Sequence, residues 1–287
     1  MARSFQRRAK PLLGTLVEIG LCVDESISDG QVQSIFDVGF NAIARIHGLM
    51  SWHEATSDLR LFNNAGVNQW VACHQHTIAV FSFAKKLHEL SHGCFDICAG
   101  DARGYSSAIE VDSLNRRLRK TSALSADLGG IAKGYAVDVA VDGITAAANQ
   151  AVGYQHREGQ YREGQYRQLQ LGQGVHGGWV NAGGDCRVFG DLSLPLRVRT
   201  PWGLDQPFEA TLLRNRSAAT SANHNSVDTT VMDGSTKQTA GTSCCAAVSA
   251  SDCMIADALT KVVMATKNDC DTVKQYFGAQ SWYFTNA

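Results

Sequence analysis

Apolar residues recur at helical spacing in three clear stretches of the chain. Between residues 29 and 49, Val32, Ile35, Phe36, Phe40, Ile43 and Ile46 share one side of a 3.6-residue repeat, which predicts an amphipathic helix. Between 77 and 90, Ile78, Phe81, Ala84, Leu87 and His88 cluster in the same way, and Ser91-His92-Gly93 supplies a stop. Ile255, Leu259, Val262 and Val263 form the inner face of a last helix over 253–266. Strand-like runs lie between them: 12–23, entered after Pro11 with Gly14 and Gly20 as flexible points; 123–128; 178–182; 196–200; 208–213; and a closing Trp282-Tyr283-Phe284. Residues 109–121 read as a hairpin turning near Asn115, 217–225 as small and polar, and 233–243 as a turn-rich loop. Helices and strands mix without the regular alternation of a doubly wound sheet. The pattern therefore predicts an α+β fold, one domain over residues 1–287 built as two packed lobes.

One stretch has no hydrophobic face. The unit Arg-Glu-Gly-Gln-Tyr occurs twice in tandem, at 157–161 and 162–166, inside a Gln- and Gly-rich segment spanning 154–174. Two copies of five residues make no solenoid, so the segment reads as an exposed loop insertion without a catalytic role.

Composition narrows the function. A net charge of −1 leaves no electrostatic footprint for nucleic acid, and no apolar run reaches the length of a transmembrane segment. The first ten residues are basic and lead to Pro11, not to an apolar core, so no export signal is read there. The expected compartment is the cytoplasm, or the periplasm or a membrane anchor if an export segment was removed. Nine cysteines with irregular spacing and no paired C-x-x-C knuckles argue for reduced, mostly buried thiols, not structural zinc. His74 and His76 lack a third ligand at metal spacing and read as surface.

The densest chemistry lies at Asp127-Leu128-Gly129-Gly130-Ile131-Ala132-Lys133-Gly134-Tyr135-Ala136-Val137-Asp138. It reads as a strand end, a tight Gly turn and a helix start. Free N–H groups and the positive dipole end there suit phosphate, Lys133 adds a charge, and Asp127 can accept hydrogen bonds or face a metal. Alone this is a weak nucleotide signal. Further turns accompany it: Leu13-Gly14-Thr15, Ser57 and Asn63, Gly93-Cys94-Phe95-Asp96-Ile97, Asn181-Ala182-Gly183-Gly184-Asp185, Ala219-Thr220-Ser221 and Ala256-Asp257-Ala258-Leu259.

In that order and spacing these motifs resemble the ApbE family, the FAD:protein FMN transferases, over nearly the whole chain. The resemblance implies a flavin site in the cleft between the lobes. It implies Mg²⁺-dependent splitting of FAD, release of AMP, and esterification of FMN onto a threonine of an acceptor flavoprotein. Carried over, Leu13, Cys94, Phe95, Asp96, Asp127 and Lys133 would contact FAD, and the Gly130 carbonyl with the Asp257 carboxylate would hold Mg²⁺. Three positions depart from the family pattern. Lys261 stands where the family places a metal-binding Thr. Thr230 stands where it places a His that is a candidate base, which leaves His224 as the nearest substitute. Cys98 and a shortened 101–107 loop replace a Thr and a longer flavin-enclosing loop. A non-catalytic FAD binder and an FAD pyrophosphatase therefore remain as alternatives.

Overall fold

The computed structural model describes residues 2–150, 171, 174–200, 202, 208–223 and 230–286. His224 and almost all of the 154–174 segment lie outside the described residues.

The chain begins with a hairpin, β1 (Arg3–Leu12) and β2 (Thr15–Asp24), followed by helix α1 (Asp29–Met50). A short helix α2 (Asp58–Asn64), strand β3 (Val71–Ala72) and helix α3 (Gln75–Leu90) come next. The hairpin β4 (Ile109–Asp112) and β5 (Arg117–Lys120) precedes helix α4 (Ala132–Gln150). Long strands β6 (Val175–Ala182), β7 (Asp185–Val198) and β8 (Phe208–Asn223) follow. The two-residue pair β9 (Met232–Asp233) and β10 (Gln238–Thr239) leads to β11 (Cys244–Ala250), helices α5 (Cys253–Ala265) and α6 (Asp271–Tyr276), and β12 (Gln280–Thr285).

Seven strands form one antiparallel sheet in the order β1-β2-β6-β7-β8-β11-β12. A smaller sheet, β3-β5-β4, belongs with α2 and α3. This is the mixed α+β architecture that the periodicity predicts. One continuous apolar core links both parts, and a smaller cluster around Val188, Leu213 and Ala218 forms separately.

Helix α1 shows what holds the elements together. It contains Gly30, Gly39 and Gly48, each costing about 1 kcal/mol of helix propensity. Val32, Ile35, Phe36, Phe40, Ile43 and Ile46 are all buried, and each contributes about 1.5–3 kcal/mol. Packing therefore wins over propensity. Gly39 itself permits close approach, because a Cβ there would lie 2.7 Å from Ile19 Cδ1 and 2.8 Å from Ile144 Cδ1. The helix starts at Ser28 in a reciprocal capping box with Gln31.

Several expectations are corrected. Residues 12–23 are not one strand: Leu13 (φ 55°) and Gly14 (φ 68°) form a two-residue turn between β1 and β2. Positive φ at both central positions suits the twist of such a hairpin. Residues 123–128 form no strand. Their backbone is held instead by the Asn63 side chain, which donates to Ala126 O (2.8 Å) and accepts from Ala126 N (2.9 Å). The Asp127 amide donates to Ile97 O at 2.7 Å. The small, polar run after 216 continues β8, because Ser217, Ala218 and Ala219 are fully buried in the sheet centre where larger side chains would not fit. His74 and His76 are not plain surface. The His74 ring accepts from the His76 amide and caps α3, while His76 Nδ1 meets Tyr135 Oη at 2.8 Å. Burial, with the nearby His74 and Arg45, lowers His76 to about 4.

Candidate functional site

A cavity of about 960 Å³ opens between the β1–β2 turn, the end of α1 and the start of α4. One wall is the Leu13-Gly14 turn, and a second is the end of α1 with Ser51, Trp52 and His53. A third is the loop from Gly100 to Arg103, and the floor is 125–129 with Ala132 and Lys133. The volume falls within the range of small-molecule sites.

The floor is set by the motif singled out from the sequence. Asp127 turns back on itself, its carboxylate accepting the Gly129 amide at 2.7 Å. Leu128 O then accepts from Ile131 and Ala132 (3.0 and 2.8 Å), starting α4. The glycine after Lys133 serves packing. A Cβ on Gly134 would sit 2.3 Å from Cys253 O and 2.8 Å from Asp257 Cβ, so only glycine lets α4 cross α5 here. The Gly134 amide donates to Asp257 Oδ2 at 3.1 Å.

That crossing assembles four charges. Lys133 Nζ pairs with Asp185 Oδ2, and Lys261 Nζ pairs with Asp257 Oδ1. The carboxylates are 0% and 1% exposed, Lys261 15% and Lys133 33%, so Lys133 alone opens substantially toward the cavity. Burial would raise Asp257, but the Lys261 and Lys133 charges win and hold it below the usual carboxylate range. Burial and the Asp257 charge push Asp185 up to about 7 despite Lys133. Burial opposes charge on Lys133, yet Asp257 and Asp185 keep it above its ordinary range. Asp185 Oδ1 is buried without a hydrogen-bond partner.

The donor set does not fit a divalent cation. Both Asp257 oxygens are engaged, one by an ammonium that cannot ligate. Among the described residues, no group of three or more His, Cys, Asp or Glu side chains is arranged to hold a metal. The Gly130 carbonyl and Asp257, expected as Mg²⁺ ligands, are separated in function by Lys261, whose Cε would lie 3.1 Å from a Cβ on Gly130.

Of the residues expected at a flavin, Leu13, Asp127 and Lys133 line the cavity. Cys94, Phe95 and Asp96 are not among its walls. Asp96 is buried and accepts from the Cys98 amide (2.7 Å) and the Ser106 amide (3.2 Å), with His88 and Lys237 at 3.5 and 3.8 Å. Gly234 donates to Cys94 O at 3.0 Å, locking the segment against the β9–β10 turn. These residues hold the backbone of the cavity wall at Ile97. Thr230 is exposed.

Three features in or behind the cavity wall escape the sequence reading. Asp185 was visible only as the end of a Gly-Gly turn. Trp52, 39% exposed on the rim, lies in a stretch with no periodic signal. Arg103 grips Asp101 (2.9 and 2.7 Å), which also accepts the Ser125 amide at 2.7 Å, so the shortened loop is pinned to the floor. The Arg103 hydrogen bonds hold Asp101 well below the usual carboxylate range. All nine cysteines are free, and burial raises every thiol, Cys245 to about 11 and Cys73 to about 12. None has the lowered pKa of a reactive thiolate.

The fold is similar to the flavin transferase ApbE from Vibrio cholerae, with a TM-score of 0.76 and 19% identity over 100% of this chain and 95% of that one. The apo flavinyl transferase ApbE of Pseudomonas stutzeri gives 0.76 and 15%, covering 100% and 92%. An ApbE protein from Thermotoga maritima gives 0.72 and 22%, covering 97% and 93%. No curated protein matches in sequence. The sequence model of the ApbE family matches residues 13–152 and 165–276, with a break over 153–164 that takes in most of the tandem Arg-Glu-Gly-Gln-Tyr repeat. With all three walls and the floor of the cavity inside that match, the chain belongs to the ApbE family.

Proposed function

We propose that this chain is a flavin transferase that takes FAD into the cavity, transfers FMN to a threonine hydroxyl of an acceptor flavoprotein, and releases AMP. The observation that carries the reading is Lys133, a cation anchored on Asp185 at the cavity floor inside the family's motif. In the transfer a threonine O–P bond forms and the P–O bond to the bridging oxygen breaks. AMP leaves with that oxygen, and the hydroxyl proton passes to a base. Phosphoryl chemistry of this kind depends on positioning and on neutralising the phosphate oxygens. Lys133 supplies fixed positive charge there, Asp185 holds its ammonium, and Leu13 and Trp52 offer apolar and aromatic surface to flat rings. Cys94, Phe95 and Asp96 act one layer behind, keeping the Ile97 wall in place. The family resemblance implies Mg²⁺ as helper, but the residues around Asp257 do not fit it, and no step here runs through a metal. His224 stays the candidate base.

A second reading, FAD binding without transfer, is favoured by Thr230 at the position where the family pattern has His. Incubation with FAD and a threonine-bearing acceptor protein, following AMP and acceptor mass, decides. An acceptor heavier by FMN supports transfer. AMP with free FMN would establish a pyrophosphatase instead, and intact bound FAD would leave only the binder.

A further inference from the structure

We propose that the Lys261 ammonium is the resident cation of this site and excludes a divalent metal, so that the cavity holds its diphosphate ligand without Mg²⁺. The identity of the ligand rests on the flavin-transferase reading; the exclusion of metal does not.

Asp185 and Asp257 are almost completely withdrawn from water. Two buried carboxylates need neutralising, by a metal or by the chain's own cations. Lys133 and Lys261 already do this, and the four charges balance. A divalent ion added beside Asp257 would leave two positive charges uncompensated and would face the Lys261 N–H groups. It would also find few free carboxylate oxygens. Asp257 Oδ2 is occupied by the Gly134 amide, Oδ1 by Lys261 and Asp185 Oδ2 by Lys133, so of these four oxygens Asp185 Oδ1 alone has no partner.

Lys261 is built into this place. Its ammonium also donates to the Asp257 carbonyl at 3.1 Å, and its stem lies against Gly130, where any side chain would crowd it. An ordinary i,i+4 pair on a helix surface is solvated and mobile. This one is roofed by the turn that also makes the cavity floor. Removing the ammonium and substituting an oxygen donor would free Asp257 Oδ1 and the space beneath Gly130 together.

The test is Mn²⁺ binding to the full chain, read by electron paramagnetic resonance, beside FAD binding read by flavin fluorescence. The unmodified chain is expected to show no Mn²⁺ binding that depends on Asp257, and equal FAD affinity in Mg²⁺ and in EDTA. Lys261→Thr should gain Mn²⁺ affinity by about tenfold or more, and Asp257→Asn in that background should remove the gain. Stoichiometric Mn²⁺ binding by the unmodified chain, lost in Asp257→Asn, would overturn the proposal. So would a Lys261→Thr protein with native circular dichroism that ignores Mn²⁺. If that variant does not fold, the titration of the unmodified chain decides alone. Absence of FAD binding under every condition would sink the flavin reading and leave the Mn²⁺ result to judge Lys261.

Discussion

Helix α4 sends one charged residue into each of two buried clusters, Lys133 into the first and Asp138 into the second. In the second, Asp138 Oδ1 accepts from Arg187 Nη1 (2.6 Å) and the Cys253 amide (2.9 Å), and Oδ2 from the Met254 amide (2.8 Å). Asp138 thereby caps α5 from a neighbouring helix, a task that Asp252, at the cap position itself, does not perform with its side chain. Both oxygens are bonded, and Arg187 is 13% exposed. In the first cluster Asp185 keeps an unbonded oxygen and Lys133 is one-third exposed toward a cavity. Both pairs span α4 and β7. One is saturated and ties helices together; the other is left incomplete on the side where a ligand can enter. A saturated ion pair belongs to the scaffold, and an unsaturated one marks the site.

The closed cluster should be the more sensitive to loss of its cation. Arg187→Met strands a buried carboxylate and should cost about 3–5 kcal/mol of stability, read by urea denaturation, while FAD affinity of the remaining folded protein stays unchanged. A parallel loss of affinity would show that the two clusters are one unit. At the open end, Lys133→Met should weaken FAD binding by about a hundredfold, or ~2.7 kcal/mol, and shift the urea midpoint less than Arg187→Met does, because Lys133 is one-third exposed and Lys261 still offsets the charge on Asp185. Equal damage to stability would remove the distinction. Gly134→Ala tests the crossing on which both depend: about 1–3 kcal/mol of destabilisation, with FAD binding weakened as well, because Asp257 and Cys253 must move.

The smallest effect is on pH. Burial and the Asp257 charge push Asp185 up to about 7 from 3.8 for the free group. Its folded form holds the proton more tightly, so its contribution to stability is complete below about pH 4 and disappears as pH rises through 7. Below 7 the neutral Asp185 leaves Lys133 uncompensated, so anion binding should weaken as pH rises through that value. Asp185→Asn should flatten the binding profile measured between pH 5.5 and 8.5; an unchanged slope would place the titration elsewhere.

The helices were legible because their stabilising contacts repeat along the sequence: every apolar position that predicts α1 is buried in it. Strand β1 was not, because it is an exposed edge whose inward contacts come from cations. Arg8 lies over the Phe36 ring at 5.1 Å and Lys10 over Phe40 at 4.6 Å, so the strand carries almost no apolar signal. The end of β8 was hidden by the small size of Ser217, Ala218 and Ala219, a consequence of close packing that a single chain segment does not reveal. Lys133 and Asp127 were legible as members of a local motif. Asp185 and Lys261 gain their meaning from partners 52 and 4 residues away, and only the second separation falls within reach of a helical repeat. The sequence therefore sets Lys261 beside Asp257, whereas Asp185 reads only as the end of a turn.

Leu13 holds a backbone angle of 55° that a branched-chain residue adopts reluctantly, and it does so on the cavity wall. Asparagine or glycine would relieve that reluctance at the cost of apolar surface facing the ligand. The position therefore separates two kinds of selection. A library screened for thermal tolerance should drift away from leucine there, and one screened for ligand retention should return to it.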